Sequence, residues 1–569
     1  MKSFRLYSQL FFLFSMVATI LLIPIASNTH LPNMIDFFNH MAIITQAHEA
    51  LLDGQFPLRV APSDLAGFQY PLFQFYSPTS YTIAALIYQA FTSSNPFIAY
   101  KITLWSCLVC GGFFIFHLAY KLTQNKSASI FASVAYLTTP FMMISINHIA
   151  SFNETIAMSL QPLVIYCTLS CYSSIDLKKT LQTALLWYLL ATIHLITFVT
   201  LSCSISIFIF LLAIQRVQPP KNMVNVLIVY LFGCFLAAWF LGPIQLLANH
   251  LSVIRSFNYY LRWQSIIHLF SPLAHISITE KDSALGIHPS IGWPLLFGIG
   301  ICFYMIVFEY RSKKTAWITS LFILFFINFF LIWSPLNIWK YVPDFIKVVQ
   351  YNWRLLNQLS WIGSLLLTYA ICRLLESKIK PNYIYIGIGL LLLTTFVWLP
   401  IKEVTYVPIN SYSTSTISDA NSNYLMDVDK SQQWIQYVDA FPKQENLFIL
   451  PFKEVRQHCI KIKNNIRCII SVPSMTKIME LPLFYYPNLL TITINGHPAP
   501  YIGILHDYYL IAGIIPEAGQ VNIIEFQFRG WLLANYISSM SWMLWLILLI
   551  YLILKRIQFR SSASIFHSP

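Results

Sequence analysis

The sequence predicts a polytopic α-helical membrane protein that holds one β-rich domain outside the bilayer, between its last two spans. Three observations predict it. Hydrophobic residues make up 57% of the chain and charged residues only 10%, with a mean hydropathy of +0.62. A soluble fold has no interior large enough to hide that much apolar surface, so lipid must serve as part of the solvent. The apolar residues fall in runs of roughly 20, the length of a bilayer-crossing helix. Near residue 401 the long runs give way to short alternating segments, and they resume near 531.

In order, the runs lie near 8–26, 96–120, 127–147, 156–173, 180–194, 196–215, 222–248, 291–309, 315–334, 355–373, 382–400 and 531–554, about twelve spans. Alternate connections are basic: Lys2/Arg5, Lys121/Lys126, Lys178/Lys179, Arg216/Lys221, Arg311/Lys313/Lys314, Arg373/Lys378/Lys380 and Lys555/Arg556/Arg560. Lys and Arg collect in cytoplasmic loops, which predicts that both termini lie inside. The net charge of +13 is then topology signal, with a share left for lipid phosphates. No basic stretch is interleaved with base-stacking aromatics, so nucleic acid is not an expected partner. The 15 Trp and 32 Tyr fit interfacial belts. The first run follows Lys2 and Arg5 as a secretory signal would, but it is long and lacks a small-x-small site, so an uncleaved anchor is expected.

The membrane body covers 1–400 and carries outer-face segments at 27–95, 148–155, 249–290 and 335–354. In the first, an amphipathic stretch from Met34 to Leu52 predicts a helix stopped by Asp53-Gly54 with Pro57 beyond. The apolar stretch 77–91 is short for a span and predicts a helix lying at the interface. The third segment carries Arg255, Arg262, Glu280, Lys281 and Asp282. Between 401 and 530, "NLFILPF", "CIKIK", "RCIISV", "KIMELPLFYY", "LLTITING", "DYYLIAGIIP" and "VNIIEFQFRG" read as strands, enough for a two-sheet sandwich. Asp429 to Ala440 reads as one helix in that domain, and 531–569 as the last span and a cytoplasmic tail.

Eight of the ten cysteines lie in or beside apolar runs, including Cys107 and Cys110, where a buried thiol has no water or cation to make it a thiolate. Cys459 and Cys468 flank "IKIKNNIR", two strands around a turn. With a two-residue loop at Lys463-Asn464 they lie opposite each other, as a cross-strand disulfide on the oxidising face or as two buried free thiols.

The polar residues that suggest chemistry gather at the outer face, which suits an enzyme at a bilayer surface better than a pore. Asp36 and His40 are four apart and share a helical face. Asp36 reads as a general base or metal ligand, or as a cap that keeps the loop wet. Arg59, ahead of the Tyr70-Pro71 bend, reads as a phosphate ligand or an interface anchor. Glu154 opens an apolar run, where a carboxylate also simply complements the helix dipole. His194 lies in an apolar stretch, as a structural or a functional histidine. Arg354 follows Tyr351 and Trp353, as a snorkelling anchor or a clamp on a lipid phosphate. The span centres hold almost no ionisable groups, unlike those of an ion-coupled transporter.

The run "IDFFNHMAIITQAHEALLDGQFPLRV…GFQYPLFQFYSPTSY" resembles the opening of bacterial membrane proteins labelled 6-pyruvoyl-tetrahydropterin synthase-related. "SFNETIAMSLQPLVIY", the His of "TIHLIT", "VVQYNWRLL" and "ELPLFYYPNLLTITING" are similar to their later motifs. The layout also resembles the GT-C glycosyltransferases, whose first outer loop bears an acidic base or metal ligand and whose donors are polyprenyl-phosphate-linked sugars. The resemblance implies Asp36 as base, Glu154 as second acid, His40 and His194 in support, and Arg59, Tyr70, Tyr351 and Arg354 around the donor phosphate. It implies a glycosyltransferase acting on a glycan, lipid or protein acceptor, with no cofactor required. A single Asp stands where an Asp-x-Asp pair would hold a divalent metal. The pterin label carries no chemistry, because the zinc-binding histidine spacing of that soluble enzyme is absent. A transporter or flippase of lipid-linked glycans, or a non-catalytic envelope assembly protein, are the other readings.

Overall fold

The computed structural model describes residues 2–565 except 28–29, 33, 63–69, 92–94, 248–249, 252–263, 272–274, 277–286, 289, 309–312, 337, 344–348, 378–381, 400–405, 409–447 and 507–508. The helix expected at Asp429–Ala440 lies outside the described residues, as do Arg255, Arg262, Glu280, Lys281 and Asp282.

Helices occupy every predicted apolar run: α1 (Lys2–Leu21), α4 (Pro96–Thr123), α5 (Lys126–Leu137), α6 (Phe152–Ser173), α7 (Leu177–Ile193), α8 (Leu195–Ile214), α9 (Met223–Leu236), α10 (Ala238–Leu247), α11 (Trp293–Phe308), α12 (Lys313–Trp333), α13 (Leu356–Glu376), α14 (Asn382–Trp398) and α15 (Leu532–Ile565). Among the described residues, eight helices are long and apolar enough to cross a membrane unaided, and α11 and α14 are shorter apolar helices. The expected single span at 222–248 is instead α9 and α10, bent by 80° at Ala237. In the first outer segment α2 (Phe37–Leu52) and α3 (Thr79–Phe91) pack on each other. The helix start at Met34 is thus corrected to Phe37, with Asp36 as its N-cap.

The most apolar window of Asn352–Glu376, which covers α13, is entirely buried, so this helix forms the axis of the body. It packs on α5, α11 and α12. Gly298 of α11 lets the two backbones touch, since a Cβ there would sit 2.7 Å from the Leu367 Cα.

Two prolines break helix ladders, and each freed carbonyl is taken up. Pro162 in α6 has no N–H for the Met158 carbonyl, four residues back, and the Tyr136 hydroxyl of α5 donates to it at 2.6 Å. Pro243 in α10 likewise frees the Trp239 carbonyl, which accepts from Arg59 at 3.3 Å. In lipid, such groups must find protein partners.

Beyond the body, β1 (His30–Pro32) pairs antiparallel with β2 (Tyr406–Pro408). A short pair, His275–Ile276 with Ile287–His288, lies in the third outer segment, and the β domain holds β3 (Phe448–Leu450), β4 (Cys459–Ile462), β5 (Asn465–Ser471), β6 (Thr476–Phe484), β7 (Leu490–Ile494), β8 (His497–Pro498), β9 (Tyr501–His506), β10 (Tyr509–Ile514) and β11 (Val521–Phe528). They form a five-stranded sheet, order β8-β7-β11-β5-β4, and a four-stranded sheet, order β9-β10-β6-β3. Lys463 adopts a left-handed φ of 54° in the two-residue turn between β4 and β5. Cys459 and Cys468 are register partners joined by a disulfide. That hairpin leans on the end of α2, where Lys461 pairs with Asp53 and Asn464 Nδ2 donates to the Asp53 carbonyl at 3.4 Å.

The Tyr136 hydroxyl bond predicts a specific non-additivity. Tyr136→Phe leaves the Met158 carbonyl unpartnered and should lower stability by about 1–3 kcal/mol. In a Pro162→Ala background, where residue 162 regains its N–H, the same change should have a much smaller effect. Thermal unfolding of the four detergent-solubilised proteins reads the coupling, and equal losses in both backgrounds would refute the assignment.

Candidate functional site

The loop after α1 is fastened to the start of α6 by backbone bonds. The chain passes from the helical residues Pro140–Ile144 through a π-helical turn, Ser145–Ile149, closed by Ala150 at a left-handed φ of 60°. The widened turn leaves the His148 and Ile149 carbonyls free, and they accept from the N–H groups of Ile35 (3.4 Å) and Asp36 (2.9 Å). Asp36 is half-buried and closely surrounded. Burial pushes its carboxyl above the ordinary 3.8, and the Arg354 charge opposes the rise in part.

His40, one turn along α2, is 3% exposed. Its Nε2 accepts from the Phe152 N–H at 3.4 Å, one of the orphan donors opening α6. A backbone N–H can only donate, so the imidazole proton sits on Nδ1, 2.6 Å from the Tyr81 hydroxyl. Tyr81 is bonded in turn to Tyr76. Tyr81 accepts from His40, so His40, Tyr81 and Tyr76 form one bonded run beside Asp36. Burial and the Asp36 charge push Tyr76 up to about 12. Burial pulls His40 down to about 3, so it holds this run as a neutral ring rather than exchanging protons near neutrality.

Glu154 stands in the first turn of α6, 1% exposed, with Oε2 accepting from the Ser151 hydroxyl at 3.3 Å. Arg354 arrives from the 3₁₀ turn Asn352–Leu355 that leads into α13. Its Nε lies 3.8 Å from Glu154 Oε2, its NH1 donates to Gln350 Oε1 at 2.6 Å, and its guanidinium carbon lies 5.3 Å from the Tyr351 ring centroid. The ion pair is too long for a hydrogen bond. Among the described residues, Glu154 Oε1 and Arg354 Nε have no hydrogen-bond partner, and the Arg354 charge also reaches Asp36.

His194 caps α8. The Thr197 N–H donates to its Nδ1 at 3.3 Å, which leaves the proton on Nε2. Arg354 and His40 lie within electrostatic reach. The Thr197 hydroxyl accepts from Asn357 at 3.0 Å, tying this cap to the first turn of α13. The structure therefore gathers Asp36, His40, Glu154, His194, Tyr351 and Arg354. Every one sits at the end of the helices opposite to Lys2/Arg5, Lys121, Lys178/Lys179, Arg216 and Arg373.

Two residues expected with them lie elsewhere. Tyr70 is fully buried, bridges Ala61 through backbone bonds of 2.8 and 3.3 Å, and packs edge-on against Phe484 of β6. Arg59 is held by neutral partners on Trp239, Gln74 and Asn535. Tyr76 and Tyr81 were not singled out by the sequence, because in "YPLFQFYSPTSY" they read as interfacial aromatics. Their spacing of five shows nothing until α3 folds beside α2. Among the described residues, no group of three or more His, Cys, Asp or Glu side chains gathers as a metal site.

A family model described as "6-pyruvoyl-tetrahydropterin synthase related domain; membrane protein" matches residues 73–396, and the chain belongs to this family. The matched stretch contains Tyr76, Tyr81, Glu154, His194 and Arg354, whereas Asp36, His40 and Arg59 precede it. No curated protein matches the chain significantly.

The raised Asp36 carboxyl makes a stability prediction. A carboxyl whose folded pKa exceeds its unfolded value contributes stability below the unfolded pKa and loses it as pH rises through the folded one. At neutral pH ionised Asp36 is therefore a net burden, and Asp36→Asn should melt at the same temperature as the parent or higher. The gap should close as pH falls toward the ordinary carboxylate range. A lower melting temperature for the variant at neutral pH would show that Asp36 is structural.

Proposed function

Starting from a membrane protein of this family, we propose that it is a glycosyltransferase of the GT-C kind, taking a polyprenyl-phosphate-linked sugar at the outer face of a bacterial inner membrane. The observation that carries the reading is the meeting of Asp36, Glu154 and Arg354 at one end of the helix body. An acid whose proton affinity is raised by burial, next to a cation, matches the two demands of glycosyl transfer from a phosphate. The acceptor hydroxyl oxygen bonds to the anomeric carbon as the bond from that carbon to the phosphate oxygen breaks. The departing phosphate takes the electron pair, and its growing charge is met by Arg354. The hydroxyl proton passes to Asp36. Gln350 holds Arg354 through NH1, Glu154 stands beside its Nε, and Tyr76, bonded to Tyr81, lines the same site. Arg354 supplies the positive charge, so the reaction as proposed needs no metal.

In this reading the helices at all predicted runs amount to about twelve spans. Both termini are cytoplasmic, and the β domain is periplasmic, where Cys459–Cys468 is oxidised. A reporter fused after Ile470 should read periplasmic.

The second reading, a transporter or flippase of lipid-linked glycans, is favoured by one feature. A buried polar thread runs inward from the same site: Gln161 to Gln358 (3.1 Å), Gln358 to Thr200 (3.0 Å) and Asn357 to Thr197 (3.0 Å). A transporter would use it as part of a path; an enzyme uses it as glue between α6, α8 and α13.

The test is lipid-linked glycan profiling of a deletion strain complemented with variants. Asp36→Asn should express normally and lose transfer by roughly 10²–10⁴-fold. Arg354→Gln should lose about 10²–10³-fold. Because the base must be deprotonated and burial raises Asp36, parental activity should rise with pH along a limb above the ordinary carboxylate range. Activity should also survive a chelator. Full restoration by well-expressed Asp36→Asn would remove the base and leave the transporter as the better reading.

A further inference from the structure

Arg59 is the embedded cation that the transfer chemistry leaves unused. Its NH1 donates to Gln74 Oε1 (3.4 Å) and to the Trp239 carbonyl (3.3 Å), and its NH2 donates to Asn535 Oδ1 (2.9 Å). The guanidinium carbon stands 4.6 Å from the Trp239 ring centroid. All these partners are neutral. Among the described residues no carboxylate reaches Arg59, and its Nε–H and one N–H of NH2 donate to nothing. Burial pulls the guanidinium down to about 10, a penalty on the charge that a bound anion would offset.

The placement is built from several elements. Gln55 Oε1 accepts from the N–H groups of Arg59 (3.1 Å) and Val60 (3.0 Å) and fixes the loop. Pro243 frees the Trp239 carbonyl that receives NH1. Gly530, at φ +73°, leaves the guanidinium its space, since a Cβ there would sit 2.9 Å from NH1. Beside Arg59 lies a cavity of about 550 Å³, walled by Thr82 and Ile83 of α3, Leu189 of α7, Trp239 of α10 and Trp542 of α15. That volume falls in the roughly 300–1,000 Å³ range of ligand sites. Among the described residues its wall α15 is the least covered of the long apolar helices, with only 11% of its apolar window buried in the protein, which leaves that side open to a bilayer.

We propose that this cavity binds an anionic lipid, a phosphate carried on a long apolar tail, with the phosphate against Arg59 and the tail along the α7 and α15 walls. An apolar cavity with a guanidinium that meets no carboxylate among the described residues, and with a wall of little-buried apolar helix, selects that chemistry over a neutral lipid, which offers the charge no anion. It selects it over a free phosphate, which leaves the apolar walls unfilled. Bidentate donation from Nε–H and NH2 to two phosphate oxygens is the geometry Arg favours. The site is separate from the cluster at Asp36 and does not depend on the transfer reading.

The experiment is native mass spectrometry of the delipidated full chain in detergent, titrated with phosphatidylglycerol and with phosphatidylcholine. Phosphatidylglycerol should bind the parent about tenfold or more tightly than phosphatidylcholine, the worth of one charge-assisted contact. Arg59→Gln should erase that preference, and Thr82→Trp, which fills the cavity and leaves Arg59 bonded, should weaken phosphatidylglycerol by a similar factor. Where Arg59→Gln fails to fold, Thr82→Trp decides alone. Asp36→Asn should bind as the parent does, which separates this site from the proposed active site. Competition by farnesyl phosphate would assign the site to prenyl phosphates, and its absence to glycerophospholipids. Equal binding of the two phospholipids, unchanged affinity in folded Arg59→Gln or Thr82→Trp, or displacement by inorganic phosphate would overturn the proposal.

Discussion

Inside a bilayer no water is at hand to rescue an unpaired carbonyl, and the structure is organised around that constraint. Each break in a helix ladder becomes a place where another element is captured. Pro162 frees the Met158 carbonyl and Tyr136 takes it, locking α5 to α6. Pro243 frees the Trp239 carbonyl and Arg59 takes it, locking the first outer loop to α10. The π turn at Ser145–Ile149 exposes two carbonyls that receive Ile35 and Asp36. The third capture sets the position of the proposed base, because Asp36 is held by its backbone while its carboxyl stays available.

The cluster at Asp36 couples local order to chemistry. His40 is neutral and bonded at both ring nitrogens, to the Phe152 N–H and to Tyr81, whose neighbour Tyr76 feels the charge of two carboxyls. Glu154 and Arg354 are close enough to define each other's charge and too far apart to satisfy each other. A purely structural ion pair would close to a hydrogen bond, since a buried pair is stabilising only with excellent geometry.

The two arginines assigned on sequence grounds to one phosphate have different surroundings. Arg354 faces carboxyls and is read as the cation of a reaction; Arg59 faces neutral groups and an apolar cavity. The β domain joins the same face through Lys461 on Asp53 and through Tyr70 against Phe484, so the first outer loop is clamped from the body and from the domain alike. Tyr70, expected near the donor, is part of that clamp.

What the sequence determined by itself was whatever depends on near neighbours. Apolar runs, basic loops and a four-residue spacing set the helices, the shared face of Asp36 and His40, and the hairpin that puts Cys459 opposite Cys468. These follow from helical and pleated periods, which repeat within a turn or two. The 80° break at Ala237 was not legible, because a hydropathy run records apolarity and not direction. Nor were the meeting of Glu154 with Arg354, the run through Tyr76 and Tyr81, or the parting of Arg59 from them. Those are decided by how separate helix ends pack, and a contact across two hundred residues of chain leaves no local period to read. Tertiary structure alone settled them, because in a dry interior each polar group goes to the partner that packing brings within reach.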